Sequence, residues 1–479
     1  MEIIGLLTIG LPFLGAIFIL LASEQSAKWI CQFFAVLATL GTWGLSYLFF
    51  SAGGESASVP LLHVGHVLIF GLVFDKVSTL IAVAVVGLGL IVAIYSLGYM
   101  SSGNKEHAQH GAKRYYAFLL IFIGAMAGLV FSSTILGQLL FFEITGACSW
   151  SLIGYYQTPL AFRSALKALL VTHIASLGLF IAAATLFVQA GTFELTAIAG
   201  LAPTAKLVVL FGIMFAAWGK SAQLPMHMWL PDAMNAPTPI SAYLHAASMV
   251  KVGVYIFARS ILSAGDIPEI VGIVGIVAAM ITMIYGFLMY LPQKDMKRLL
   301  AYSTITQLAY IFLALSMAAM GSSLALESGV AYIFNHAFAK CLFFFVAGSF
   351  SYACGTRMLP QLKGVIRKSP LLAVGFCIAA MAIAGVPPLN GFFSKFPLFE
   401  AGFHLSATHA WLTPLLVLAL IESVATFGWL LYWFGRTIIG EPSEAVERMS
   451  PLPGSMKITL VVLITMSVLS SVIAATWLQ

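Results

Sequence analysis

MFAAWGKSAQLPMHMWLPDAMNAPTPISAYLHAASMVKVGVYIFAR, residues 214–259, decides how this chain is read. The stretch is apolar enough to lie in a bilayer, yet Lys220, His245 and Lys251 stand within it. Pro225, Pro231, Pro237 and Pro239 interrupt it. Proline removes a backbone donor and breaks or kinks a helix. Broken helices are tolerated at membrane depth only against protein or a water-filled cavity. Lysines beside such a break point to an ion site inside a membrane protein.

The rest of the chain fits that setting. Of its 479 residues 61% are hydrophobic and 8% charged, with a mean hydropathy of +1.01. A soluble domain carries roughly 25% charged residues, so a soluble globule, a disordered chain and a disulfide scaffold are excluded. Apolar segments lie near 3–22, 28–50, 77–99, 115–132, 134–156, 162–189, 207–230, 240–262, 269–291, 297–319, 326–352, 370–401, 411–435 and 457–477. They are continuous runs without period-two alternation, which argues an all-α polytopic protein of about 14 spans and against a β-barrel. The N-terminus has no basic region ahead of its apolar run and is read as the first span, not a cleaved signal.

Charge placement supports this count. With loops numbered alternately, 15 of the 23 Lys and Arg fall on one side. Only Lys76, Lys206 and Arg259 fall on the other. The positive-inside rule makes the first side cytoplasmic and places both termini outside, in a bacterial inner membrane. The remaining bases lie inside spans: Lys167, Lys220, Lys251, Lys340 and Lys395, with Glu143, Glu422, His173, His245 and His336 at similar depth. The seven charged groups would cost on the order of 20 kcal/mol if all were ionised and unpaired. All five bases are lysine, which releases its proton on desolvation as arginine does not. Proton transfer is therefore assigned to Glu143, Lys220, Lys251, Lys340, Lys395 and Glu422, and relay roles to Lys167, His173, His245 and His336. Glu143 and Lys220 are read as one electrostatic switch.

The twelfth segment repeats the device of the seventh in GVPPLNGFFSKFPLF (385–399), where Pro387 and Pro388 precede Lys395 as Pro225 follows Lys220. Broken helices at matching places mark the site in transporters built from inverted repeats. The chain accordingly divides into a three-helix region (1–114), two inverted five-helix repeats (115–262 and 263–437) with discontinuous helices 7 and 12, and a last helix (438–479). Lys220 then maps to Lys395, Lys251 to Glu422, and Lys167 with His173 to His336 with Lys340. Glu143 meets only polar groups, Thr304 and Gln307, in its counterpart segment. His336 and Lys340 share a helix face.

The five cysteines form no C-x-x-C pair, and the pairs H-V-G-H (63–66) and H-A-Q-H (107–110) read as solvated loops, so no metal site is expected. No phosphate-binding loop, dinucleotide fingerprint or nucleophile elbow occurs. No catalytic site, cofactor or nucleic-acid partner is expected for this chain.

These residues resemble the antiporter-like membrane subunits shared by respiratory complex I, multisubunit cation/proton antiporters and membrane-bound hydrogenases. The resemblance covers nearly the whole chain and is most specific in the stretch quoted above. It implies 14 helices with two inverted repeats and both termini outside. It also implies roles for Glu143, Lys220, Lys251 and Lys395 as the lysines and glutamate of helices 5, 7, 8 and 12, and for Lys167, His336 and Lys340 as relay groups. Within the family, RYYAFLLIFIGAMAGLV (114–130), LGQLLFFEITGACSW (136–150), QKDMKRLLAYSTITQLAY (293–310) and the ending 451–479 resemble the D component of hydrogenase-4, of formate-hydrogenlyase-type complexes. That implies a proton-translocating protein in contact with lipid, other membrane subunits and a peripheral hydrogenase-type arm, with the nickel–iron centre and iron–sulfur clusters held by partners. Against the longest complex I member, the fourteenth segment is expected to be the last, with no long lateral helix. The competing readings are membership of a cation/proton antiporter, exchanging Na⁺ or K⁺ for H⁺ without redox chemistry, membership of complex I itself, and a non-transporting scaffold.

Overall fold

The computed structural model describes residues 1–105 and 111–479. The H-A-Q-H histidines lie outside this set. In chain order the structure begins with α1 (Glu2–Leu21), α2 (Glu24–Ser51), a hairpin β1 (Ala57–Val64) and β2 (Val67–Phe74), α3 (Lys76–Tyr99), α4 (Ala112–Phe131), α5 (Ile135–Ile153), α6 (Pro159–Ala190) and α7 (Pro203–Lys220). Next come α8 (Thr238–Ser263), α9 (Glu269–Tyr290), α10 (Met296–Ala319), α11 (Ser323–Cys354), α12 in two pieces (Pro370–Ala384 and Asn390–Ser406), α13 (Leu412–Ile438) and α14 (Gly454–Leu478). Among the described residues 13 of these helices are long and apolar enough to cross a membrane. The first piece of α12 is a shorter apolar helix.

The ends of the spans are set by short polar side chains. Ser23, Asp75, Thr134, Thr158, Asp295 and Ser322 each accept a backbone N–H of the helix they precede, which satisfies donors left free by the first turn. α6 and α11, five helices apart, are each 32 residues long and each end on a left-handed glycine, Gly191 and Gly355. Five helices is the spacing expected between counterparts in the two repeats. α8 and α10 are wholly enclosed by their neighbours and α11 nearly so, whereas α1, α2, α13 and α14 turn much of their surface outward. The enclosed helices carry most of the buried titratable side chains, and α13, though peripheral, turns Glu422 inward.

Three features depart from the sequence reading. The β1–β2 hairpin interrupts the all-helical expectation between the second and third spans; it pairs antiparallel around Gly65, which takes a φ of +61°. Ser133 N–H donates to Gly71 O at 3.0 Å, tying the hairpin to the start of α5. A Cβ at Gly71 would stand 2.7 Å from Ser133 Oγ, so this approach needs glycine. Second, α7 ends at Lys220, earlier than expected, because the chain unwinds through 221–225 into short turns over 226–235. Third, α8 is itself broken between Ala246 and Met249, where Ser248 Oγ donates to Tyr243 O at 2.9 Å. No proline marks that break.

Candidate functional site

The break in α8 places His245 on one side and Lys251 on the other. Lys251 Nζ lies 2.8 Å from His336 Nδ1 on α11, with both side chains buried. His245 Nδ1 lies 3.1 Å from Thr304 Oγ1 on α10. One turn beyond His336, Lys340 Nζ donates to Ser303 Oγ at 2.9 Å. Among the described residues, Nε2 of His245 and of His336 are buried without a hydrogen-bond partner. The centre of the molecule therefore holds four titratable side chains from two helices, all enclosed, and among the described residues no acid is within hydrogen-bond reach of them.

Two lysines flank this centre in similar surroundings. Lys220 Nζ donates to Thr145 Oγ1 at 3.2 Å and sits 4.4 Å from the centre of the Phe142 ring. Lys395 Nζ donates to Ser423 Oγ at 2.9 Å and sits 4.6 Å from the Tyr310 ring. It also reaches Ala384 O at 3.3 Å, the last residue of the first piece of α12. Lys220 is itself the last residue of α7. Both ammonium groups therefore stand where a helix ends at a break, Pro225 following the first and Pro387–Pro388 preceding Asn390 in the second. A helix C-terminus favours a cation. Glu422 lies deep beside Lys395 but is held by other groups. Tyr310 Oη donates to its Oε2 and Thr426 Oγ1 to its Oε1, each at 2.5 Å.

Other assignments shift. Glu143 is held not by Lys220 but by His173, at 3.1 Å. Among the described residues Lys220 has no acidic partner within hydrogen-bond reach. The reason is helix rotation: Glu143 and His173 point to the outward faces of α5 and α6, with side chains 32% and 58% exposed. An apolar span is not the same as an enclosed one. Lys167 is likewise outward and pairs with Asp232 at 2.8 Å, just after the α7 break.

The sequence reading missed three buried bases. Lys206, assigned to an outer loop, is buried in the first turn of α7 and donates to Ala199 O, Ala264 O and Asp266 O at 2.9–3.0 Å. Lys297 is buried at the start of α10 and donates to Met234 O and Ala236 O. Arg259 forms a two-pronged pair with Asp75 and also donates to Tyr255 Oη at 3.0 Å. Burial alone pushes the Asp75 carboxyl up, but Arg259 and Ser78 outweigh it and hold it below the usual carboxylate range. Bases at span ends that satisfy carbonyls have a structural use, and loop placement alone could not reveal it. Tyr310 was also missed, since nothing in its segment singles out one tyrosine. Among the described residues no three His, Cys, Asp or Glu come together as a metal site.

A polytopic helical bundle with enclosed lysines at helix breaks defines an ion-handling membrane protein. Residues 132–422 match the family described as NADH:quinone oxidoreductase/Mrp antiporter, transmembrane, and residues 62–116 match the N-terminus of NADH-ubiquinone oxidoreductase (complex I) chain 5. The chain belongs to this family. It is 36% identical over 406 residues to NADH-quinone oxidoreductase subunit L of Escherichia coli (strain K12), matching 80% of this chain and 63% of that protein. It is 34% identical over 389 residues to a probable K⁺/H⁺ antiporter component of Rhizobium meliloti (strain 1021), 78% of this chain and 37% of the relative. The chain thus spans less than two thirds of these relatives. Among solved structures, a chain of the Mrp complex from Dietzia sp. DQ12-45-1b superposes with a TM-score of 0.84 at 29% identity, covering 97% of this chain and 50% of the other. A chain of an archaeal membrane-bound sulfane sulfur reductase superposes at 0.86 and 24% identity, covering 100% and 96%, a likeness of fold.

Proposed function

We propose that this chain is the proton-translocating membrane subunit of a multisubunit respiratory complex. The observation that carries this reading is the enclosed contact between Lys251 and His336, which joins the first five-helix half to the second. A buried cation costs several kcal/mol, and among the described residues neither partner has an acid within hydrogen-bond reach. Groups that exchange one proton explain the pairing better than a fixed ion pair. Protons enter from the inner side near the α7 break, pass Lys220, cross at Lys251 and His336, reach Lys340 and leave outward at Lys395. Glu143 acts on Lys220 by exchanging His173 for the lysine, whereas Glu422 acts on Lys395 at a distance, from its place on Tyr310 and Thr426. Both termini lie on the outer side of a bacterial inner membrane in this reading, which the charge bias of the loops supports.

The outward Glu143–His173 pair supports partnership. His173, more than half exposed, and Glu143, about a third exposed, are costly against lipid midway along α5 and α6, so this face is covered by another membrane protein of the complex. The finer reading is a hydrogenase-4, formate-hydrogenlyase-type assembly, with a peripheral arm whose partner subunits hold the nickel–iron centre and iron–sulfur clusters. No redox cofactor is assigned to this chain. A second reading, exchange of Na⁺ or K⁺ for H⁺ without redox chemistry, is favoured by the likeness to the K⁺/H⁺ antiporter component. Purification of the native assembly, identification of its subunits and reconstitution in vesicles tests both. Proton release tied to redox turnover supports the first, cation-driven proton exchange supports the second, and neither activity in an assembled complex refutes both.

A further inference from the structure

The lysines at the two breaks share a feature that the repeat makes specific. Phe142, under Lys220, is on α5; Tyr310, under Lys395, is on α10, five helices on. The counterpart of α5 in the second half thus supplies an aromatic face in the corresponding role. In the first half the ring is only a ring. In the second it carries a hydroxyl, and that hydroxyl donates to Glu422 Oε2 at 2.5 Å and lies 2.6 Å from Ala419 O.

We infer that Tyr310 is a positioning residue that couples Lys395 to Glu422, holding the ammonium on its ring face and the carboxylate on its hydroxyl so that the two do not close into a direct ion pair. An ammonium over a ring face is attracted by the ring quadrupole, the more so when desolvated. A direct Lys395–Glu422 pair would fix the lysine as a permanent cation, since breaking a buried pair is strongly unfavourable. With Tyr310 between them, the acid influences the lysine without capturing it, and Lys395 stays able to give up its proton. The titratable groups facing this pair are Tyr290 from α9, through Thr426, together with Tyr332, His336 and Lys340 from α11. Among the described residues none of them holds Lys395 directly, which leaves Tyr310 in contact with both members of the pair.

This inference rests on the proposed proton transfer, so its test includes a readout that does not. The assembled complex is compared with Tyr310→Phe and Tyr310→Leu in vesicles, measuring proton transport against pH. Tyr310→Phe keeps the ring and is expected to transport with a displaced pH profile. Tyr310→Leu loses both contacts and is expected to transport about 2- to 30-fold more slowly, the range a cation–π contact supplies. In parallel, infrared titration follows the carbonyl stretch of the buried carboxyl, assigned by its loss in Glu422→Gln. Tyr310→Phe should move that band whether or not the complex transports. Parental pH profile and parental band in Tyr310→Phe would overturn the inference, and the infrared arm decides it if Tyr310→Leu fails to assemble. An unshifted band with transport lost would also overturn it.

Discussion

Lys251 Nζ and His336 Nδ1 stand 2.8 Å apart, and the two residues come from α8 and α11, one in each half of the molecule. Substituting His336→Gln keeps a side chain that hydrogen-bonds and removes the titratable ring. Transport should fall by about 100-fold, the lower end of what a positioned acid–base group contributes, with the composition of the complex unchanged. Proton flux in vesicles, normalised to assembled complex, measures this.

Glu143 and Lys220 are proposed to act together although they do not touch in this state. Glu143→Gln and Lys220→Ala should each abolish most gradient-coupled transport. The double variant should be no worse than the worse single one, the non-additivity of two groups in one network. Multiplicative losses in the double variant would show that the two act separately.

Lys206 provides the contrast of a buried lysine without a transport role. It donates to three carbonyls that join α7 to the turn before it and to the loop after α8. Lys206→Met leaves these acceptors unpaired and should destabilise the fold by roughly 3 kcal/mol, at about 1 kcal/mol or more each. Transport per assembled complex should be unchanged. Thermal unfolding in detergent and vesicle flux measure the two effects separately.

The Asp75–Arg259 pair predicts a pH dependence of stability. The Asp75 carboxyl is held below its ordinary value in the folded protein, so its contribution is present above the unfolded value and is lost as pH falls through the folded one. Asp75→Asn leaves Arg259 buried and uncompensated and should cost about 3–5 kcal/mol at neutral pH. Unfolding temperatures of parent and variant should converge in acid. A gap that stays constant down the pH series would refute this.

Much of the fold was legible because lipid imposes a simple rule: apolar runs of sufficient length become helices. Pro225, Pro387 and Pro388 marked two breaks through the same backbone chemistry. The α8 break was not legible: Ser248 Oγ donates to Tyr243 O there, but Ser46, Ser96 and Ser467 bond the preceding turn within unbroken helices, so a serine is no signal of a break. The residue types of the site were legible as misplaced charge, but their directions were not. Glu143 and Glu422 look alike in sequence, yet one faces outward to His173 and the other inward to Tyr310. Rotation about the helix axis depends on packing against neighbours, and that is decided by the whole bundle.

The most direct test of proton transfer through the Lys251–His336 contact is the ratio of protons released to redox or ion turnover in reconstituted complex carrying Lys251→Arg. Arginine keeps the positive charge and can hydrogen-bond His336, but it does not give up its proton in a protein. The predicted result is an assembled complex whose proton release falls to the background of an uncoupled control. A parental ratio in Lys251→Arg would contradict the assignment and leave Lys251 as a structural cation.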